Sequence, residues 1–190
     1  MGTVRLLAGR ELPEKNKMKK SELVEKLTEL ILEVPMGSCI VELGTYHGKS
    51  ALFYYKLVGN KIDIFTIDDF DLEREDWLGQ ELKPEDENIF YENVTGANAK
   101  IKVCRMKIED AVKRWTRSIG FLLWDVGEAD RLKEDLEAWS KFIIPNGVVV
   151  VKDMPKNIFH TFEVIEELIE SESWERLYHL NGVSFLRRLK

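Results

Sequence analysis

The chain has 190 residues, 44% of them hydrophobic, and a formal net charge of −6, which suits one domain with its own core. No run of about 18 apolar residues occurs to span a membrane, and Met1-Gly2-Thr3-Val4-Arg5 lacks the apolar centre of a signal peptide, so a cytoplasmic location is expected. Eight acids in residues 71–87 face only Arg74 and Lys83 and carry the net charge; no basic stripe remains to follow a nucleic-acid backbone.

Strand and helix patterns alternate along the chain. Residues 21–33 read as an amphipathic helix, with Leu23, Val24, Leu27, Leu30 and Ile31 on one face, Ser21 as N-cap, and Pro35 and Gly37 as stops. Residues 38–43 form a first apolar strand. A glycine-containing turn and a helix over 49–57 follow, then a second strand over 62–67. The acidic insert, residues 71–96, is expected to hold a short helix over 87–96. Residues 101–104, 119–124 and 148–151 read as further strands, the last after a Pro145-Asn146-Gly147 turn. Helices fill 108–115, 130–142 and 157–171. Residues 174–180 and 183–189 flank Asn181-Gly182, the signature of a two-residue hairpin turn. Five strand–helix units followed by an antiparallel pair predict a single doubly wound α/β domain over 1–190, with a mostly parallel seven-stranded sheet and a helical N-terminal segment over 1–36. Cys39 and Cys104 lie in apolar runs without metal-ligand spacing and read as buried reduced thiols.

The first strand runs into Val41-Glu42-Leu43-Gly44-Thr45-Tyr46-His47-Gly48-Lys49-Ser50. In doubly wound sheets this turn lies where the strand order reverses and ligands bind. Gly44 suits a sharp turn, Gly48 a helix starting close to the sheet, and the helix N-terminus offers N–H groups to a polar ligand. The G-x-x-x-G spacing disfavours a nicotinamide dinucleotide, and no P-loop is present; an ordinary two-glycine turn is the plainer alternative. Asp68 ends the second strand twenty residues after Gly48, where an acid commonly takes ribose hydroxyls; Asp69 and Asp71 compete for that role.

Together these residues resemble the class I S-adenosylmethionine-dependent methyltransferases of Rossmann-like fold, nearest the methyltransferase 24 group with its macrocin and catechol O-methyltransferase relatives. Three stretches carry the likeness: residues 40–50, residues 93–115, and residues 119–153, reading IGFLLWDVGEADRLKEDLEAWSKFIIPNGVVVVKD. The resemblance implies that Glu42, Gly44, Thr45, Tyr46, Gly48 and Ser50 hold the amino-acid part of S-adenosylmethionine. Asp68 would take the ribose, Ile108 and Glu109 would flank the adenine, and Asp125 would stand near the sulfonium and the acceptor. A small-molecule acceptor, reacting through a hydroxyl, is implied, with no nucleic acid or membrane as partner.

The chain also departs from that pattern. Many relatives carry Asp-Gly-Asp-His after the fourth strand; here Asp125-Val126-Gly127-Glu128 stands, leaving Glu128 as the candidate base and His160 as a second. Asp125 and Asp153 remain of the metal ligands, and two carboxylates with waters hold Mg²⁺ weakly. His47 and His179 read as loop and hairpin residues. A catalytically degenerate S-adenosylmethionine-binding protein is the alternative function. The acidic insert with Trp77 and Leu78 reads as a lid or a solvated loop, and the basic segment over 10–26 as a candidate contact in a homo-oligomer.

Overall fold

The computed structural model describes residues 6–7, 10–11, 20–70, 84–95, 100–126, 129–152, 158–180 and 182–190. Its elements in chain order are β1 (Leu6–Leu7), β2 (Arg10–Glu11), α1 (Lys20–Leu32), β3 (Cys39–Leu43), α2 (Lys49–Val58), β4 (Asp63–Asp68), α3 (Pro84–Val94), β5 (Ile101–Arg105), α4 (Ile108–Arg114), β6 (Ile119–Trp124), α5 (Leu132–Ser140), β7 (Ile143–Lys152), α6 (Ile158–Glu170), β8 (Trp174–Leu180) and β9 (Val183–Arg188). Seven strands form one sheet in the order β5-β4-β3-β6-β7-β9-β8. The first five run parallel; β9 and β8 run antiparallel. The order turns back between β3 and β6, so the C-terminal ends of these two strands form the crevice where such sheets bind ligands.

Period-two alternation builds the two layers. Cys39, Val41, Leu43, Phe65, Ile67, Leu122, Trp124, Val149 and Val151 face a cluster with Ile108, Leu132, Leu136, Trp139 and Ile165, on α4, α5 and α6. The intervening Ile40, Ile64, Phe121, Leu123, Val148 and Val150 face Leu30, Ile31, Ala51, Tyr54, Val58 and Phe90, on α1, α2 and α3. Within the first layer, buried Asp135 accepts the Trp124 indole N–H at 3.0 Å and the Arg131 guanidinium at 3.2 Å.

Several expectations need correction. The N-terminal segment is not helical throughout, since β1 and β2 pair antiparallel before α1. Ser21 lies inside α1, which begins at Lys20. The short helix of the insert starts at Pro84, whose fixed φ favours a first helical turn, and not at residue 87. Strand β7 begins at Ile143. The predicted Pro145-Asn146-Gly147 turn is an irregularity within it, because Ile143 pairs with Ile119 while Val148 pairs with Phe121. Asn146 absorbs the bend at φ 64°. Cys39 is fully buried, but Cys104 is only half-buried, on edge strand β5. Most of the acidic insert (71–83) lies outside the described residues, as do residues 127–128 and 153–157. Among the described residues no helix is long and apolar enough to cross a membrane.

Candidate functional site

The loop between β3 and α2 reaches the C-terminal edge of the sheet at the reversal of strand order. Gly44 has φ +81°, and a Cβ there would lie 2.3 Å from the Asp125 carbonyl oxygen. Its missing side chain therefore lets the loop ending β3 touch the loop ending β6, and Asp125 N–H donates to the Leu43 carbonyl at 2.9 Å. Gly48 is also left-handed, φ +69°, and a Cβ would meet the Phe90 ring of α3 at 2.6 Å. Both glycines are needed for close packing around the crevice. Gly48 caps α2 without a side-chain hydrogen bond, so no side chain competes there for the amides of the first turn.

Asp68, at the end of β4, holds this loop from beneath. Its Oδ2 accepts the backbone N–H of Thr45 at 2.7 Å and of Tyr46 at 3.4 Å, while Oδ1 accepts that of Phe70 at 2.9 Å. Tyr46 and Phe70 both have positive φ, 46° and 52°, a conformation that non-glycine residues keep only when the surroundings impose it. The Tyr46 ring stacks on His47, centroids 3.7 Å apart. His47 is more than a loop residue: its Nε2 lies 2.6 Å from Asp86 Oδ1 on α3, and Asn93 donates to its carbonyl at 2.8 Å. Helix α3 is thus fastened onto the glycine loop.

Glu42 is 1% exposed. Thr45 Oγ1 donates to its Oε2 at 3.4 Å, and the Ser50 hydroxyl also bonds it. Burial holds its carboxyl well above the usual range, the nearby Asp125 charge adds to this, and the two hydroxyls oppose it. The same burial, reinforced by Glu42, pushes up the phenol of Tyr54 on α2. Asp125 follows β6. Burial raises its carboxyl too, against the opposing effect of Lys152, whose Nζ sits 2.9 Å from Asp125 Oδ2. Lys152 ends β7 and keeps 34% of its side chain exposed.

On the far side of β4, Ile108 is buried at the start of α4. Glu109 beside it pairs with Arg131 at 2.8 Å, and Arg131 in turn holds Asp135, so α4 and α5 are tied at their N-terminal ends. The structure therefore gathers Glu42, Gly44, Thr45, Tyr46, Gly48, Ser50, Asp68 and Asp125 around one crevice, with Ile108 and Glu109 in the first turn of α4, after the neighbouring strand β5. Glu128 and Asp153 lie outside the described residues, as does Asp71. His160 is half-buried on α6, and His179 contacts Ser184 Oγ at 2.8 Å on the hairpin. Sequence reasoning missed Lys152. Its pairing depends on β7 standing beside β6, which residue spacing does not reveal.

Among the described residues no three His, Cys, Asp or Glu side chains cluster as a metal site, and the Asp125 carboxylate already carries an ammonium. A cavity of about 270 Å³ lies elsewhere, at the N-terminal edge of the sheet, lined by Val34, Pro35, Gly120, Pro145, Val148 and Arg187 among others. That edge is opposite the binding crevice of this architecture.

A family model described as a methyltransferase domain, that of methyltransferase family 24, matches residues 41–154. The chain belongs to this methyltransferase family. No curated protein matches it in sequence. Among solved structures it is similar to the SAH-bound methyltransferase PaMTH1 of Podospora anserina, with 15% identity, TM-score 0.69, and coverage of 94% of this chain and 83% of that one. It is similar to the O-methyltransferase NovP, with 12% identity, TM-score 0.69, and coverage of 89% and 80%. It is also similar to a putative rRNA methylase of Clostridium thermocellum, with 13% identity, TM-score 0.66, and coverage of 92% and 98%. The likenesses establish the class I methyltransferase fold, a Rossmann-like α/β sheet with an antiparallel C-terminal pair.

Proposed function

We propose that the protein transfers the methyl group of S-adenosylmethionine to an oxygen of a small-molecule acceptor. The observation that carries this reading is the 44–48 loop at the strand-order reversal. It stands over a buried Glu42 and beside Asp68, with an uncapped helix N-terminus facing the same crevice. The residues fit the cofactor. The α2 amides suit its carboxylate, and the acids Glu42 and Asp125 suit a ligand that carries an ammonium and a sulfonium. Thr45, Tyr46 and Ser50 would line the amino-acid end. Asp68 would hold the loop and present its outer lone pairs to the ribose. Ile108 and Glu109 would flank the adenine.

S-Adenosylmethionine supplies an already activated methyl group, so the protein's work is alignment and charge management. The link between Gly44 and the Asp125 backbone fixes the cofactor loop against the loop that faces the acceptor. Asp125, at the end of β6, would stand beside the transferring methyl. Glu128 would face the acceptor as its base, and Asp153 would border the same crevice. The rRNA methylase likeness raises RNA as an acceptor, but the −6 net charge and the absence of a basic stripe favour a small molecule.

Incubation with tritiated methyl donor and three acceptor pools distinguishes these classes. Label entering small phenols or carboxylic acids supports the reading. Label entering RNA or protein alone would replace the acceptor class, and no transfer despite tight donor binding would leave a binding protein.

A further inference from the structure

We propose that binding of the methyl donor expels a proton from Glu42, and that Thr66 supplies a hydrogen bond to the carboxylate so formed. The inference rests on the methyltransferase reading above and concerns the charge state of that site. Glu42 is sealed beneath the 44–48 loop, and the side chains around it carry hydroxyls and not cations. Thr45 Oγ1 lies 3.4 Å from its Oε2. Ser50, in the first turn of α2, bonds it as well, and also bonds the Tyr54 phenol one turn further on. Thr66 stands opposite Glu42 in the register of β3 and β4, so both side chains leave the sheet on the same face. Thr66 is fully buried, and its Oγ1 has no hydrogen-bond partner. Leaving a buried hydroxyl idle costs stability. An ionised Glu42 accepts at both oxygens, whereas the neutral acid spends one of them as a donor; the idle Thr66 hydroxyl is a donor held beside it.

The surrounding charges set the direction. Burial holds the Glu42 carboxyl well above the usual carboxylate range, and the charges of Asp125 and Asp68 push the same way against the Ser50 and Thr45 hydroxyls. Among the described residues no cation pairs with Glu42. Lys152, at the end of β7, is committed to Asp125, and His47, on the loop itself, is engaged by Asp86 of α3. The free site thus holds a proton where a counter-cation would stand. The donor brings that cation as the ammonium of its amino-acid end. Contact is not required, because a charge acts over several ångströms in so desolvated a setting, and a cation favours the ionised acid. The carboxyl O–H bond then breaks with its electron pair left on oxygen, and the proton passes to solvent water. Affinity therefore rises with pH until Glu42 of the free chain is itself ionised, by at most about tenfold per unit. S-Adenosylhomocysteine carries the same ammonium and shares this linkage. 5′-Methylthioadenosine, which lacks the amino-acid end, does not.

The test is calorimetric titration of the full chain with S-adenosylhomocysteine and with 5′-methylthioadenosine between pH 5 and 7, below the titration of the ligand's own ammonium. Each pH is run in two buffers of different ionisation enthalpy, so that protons released on binding are counted directly. The proteins compared are the wild type, Glu42→Gln and Thr66→Val, with thermal unfolding to report that each folds. The expected result is that the wild type releases a proton to S-adenosylhomocysteine and binds it at least about tenfold more tightly at pH 7 than at pH 5, while 5′-methylthioadenosine shows neither effect. Glu42→Gln abolishes the release and flattens the pH profile. Thr66→Val unfolds at no lower temperature than the wild type when free, yet loses about three- to tenfold in S-adenosylhomocysteine affinity at pH 7 and keeps its affinity for 5′-methylthioadenosine. The proposal is overturned if the wild type binds S-adenosylhomocysteine without proton release across this range, if the release persists in Glu42→Gln, if 5′-methylthioadenosine releases as much, or if Thr66→Val binds as the wild type does. Failure of the wild type to bind S-adenosylhomocysteine at all would instead sink the methyltransferase reading.

Discussion

Replacing Gly44 with alanine probes the join that holds the crevice together. The new methyl carbon would lie 2.3 Å from the Asp125 carbonyl oxygen and 2.9 Å from its carbon, and both are backbone atoms that cannot rotate aside. At φ +81° the left-handed backbone costs a non-glycine residue about 1–2 kcal/mol. Overpacking against an unyielding neighbour adds about 1–3 kcal/mol, for a total of about 2–5 kcal/mol. In a chain of this size that corresponds to a fall in Tm of roughly 5–15 °C. Gly37 is the control: its φ is +93°, but nothing lies within 4 Å of its added carbon. Gly37→Ala should therefore show the conformational cost alone, about 1–2 kcal/mol. The assay is thermal and urea unfolding of both variants, paired with S-adenosylhomocysteine titration. Gly44→Ala should be the less stable and should lose affinity, while Gly37→Ala keeps it. Equal stability of the two would refute the claim that this contact fixes the site.

Glu42→Gln should trade function for stability. Because burial holds the folded pKa of Glu42 well above 4.5, the folded chain retains a proton that the unfolded chain releases. Stability therefore falls as pH rises from about 4.5 toward the folded value, by about 1.4 kcal/mol per unit. The glutamine variant should unfold at higher urea than the wild type at pH 8, with the advantage shrinking toward pH 4.5, and should bind the cofactor more weakly; parallel pH profiles would contradict this. Asp68→Ala leaves the amides of Thr45, Tyr46 and Phe70 without their acceptor. It should lose about 2–3 kcal/mol together with donor affinity, and a variant of wild-type stability that binds normally would show that Asp68 does not hold the loop. Burial pushes the Cys39 thiol up to about 12 and raises that of half-buried Cys104 less far. An aromatic disulfide reagent at pH 8 should therefore label Cys104 first and Cys39 only after denaturation; rapid labelling of Cys39 in the folded chain would be the contrary result.

The doubly wound sheet and its reversed C-terminal pair could be read from the chain because both are periodic: apolar runs of four to six residues alternate with helical faces, and Asn181-Gly182 marks the hairpin. Boundaries were less legible where tertiary pairing overrides local signals. Strand β7 continues through Pro145-Asn146-Gly147 because β6 offers it a partner across the irregularity. The place of the 44–50 loop at the reversal of strand order was legible, but the physical duty of its glycines was not. The space at Gly44 is filled by the Asp125 backbone, eighty-one residues away, and that at Gly48 by Phe90. The acid ending β4 was found by position, whereas its grip on the Thr45 and Tyr46 amides needed coordinates. The pairs His47–Asp86 and Lys152–Asp125 join elements that are distant in sequence. No spacing rule reaches them, and both change how the crevice is understood.

Calorimetric titration of the purified chain with S-adenosylmethionine and S-adenosylhomocysteine, with NAD as control and a Gly44→Arg variant alongside, tests the central claim most directly. The account predicts saturable, roughly micromolar binding of both adenosyl ligands, none of NAD, and none of any ligand by the variant. Absence of adenosyl binding by the wild type would contradict it and leave the family and the fold without the proposed cofactor site.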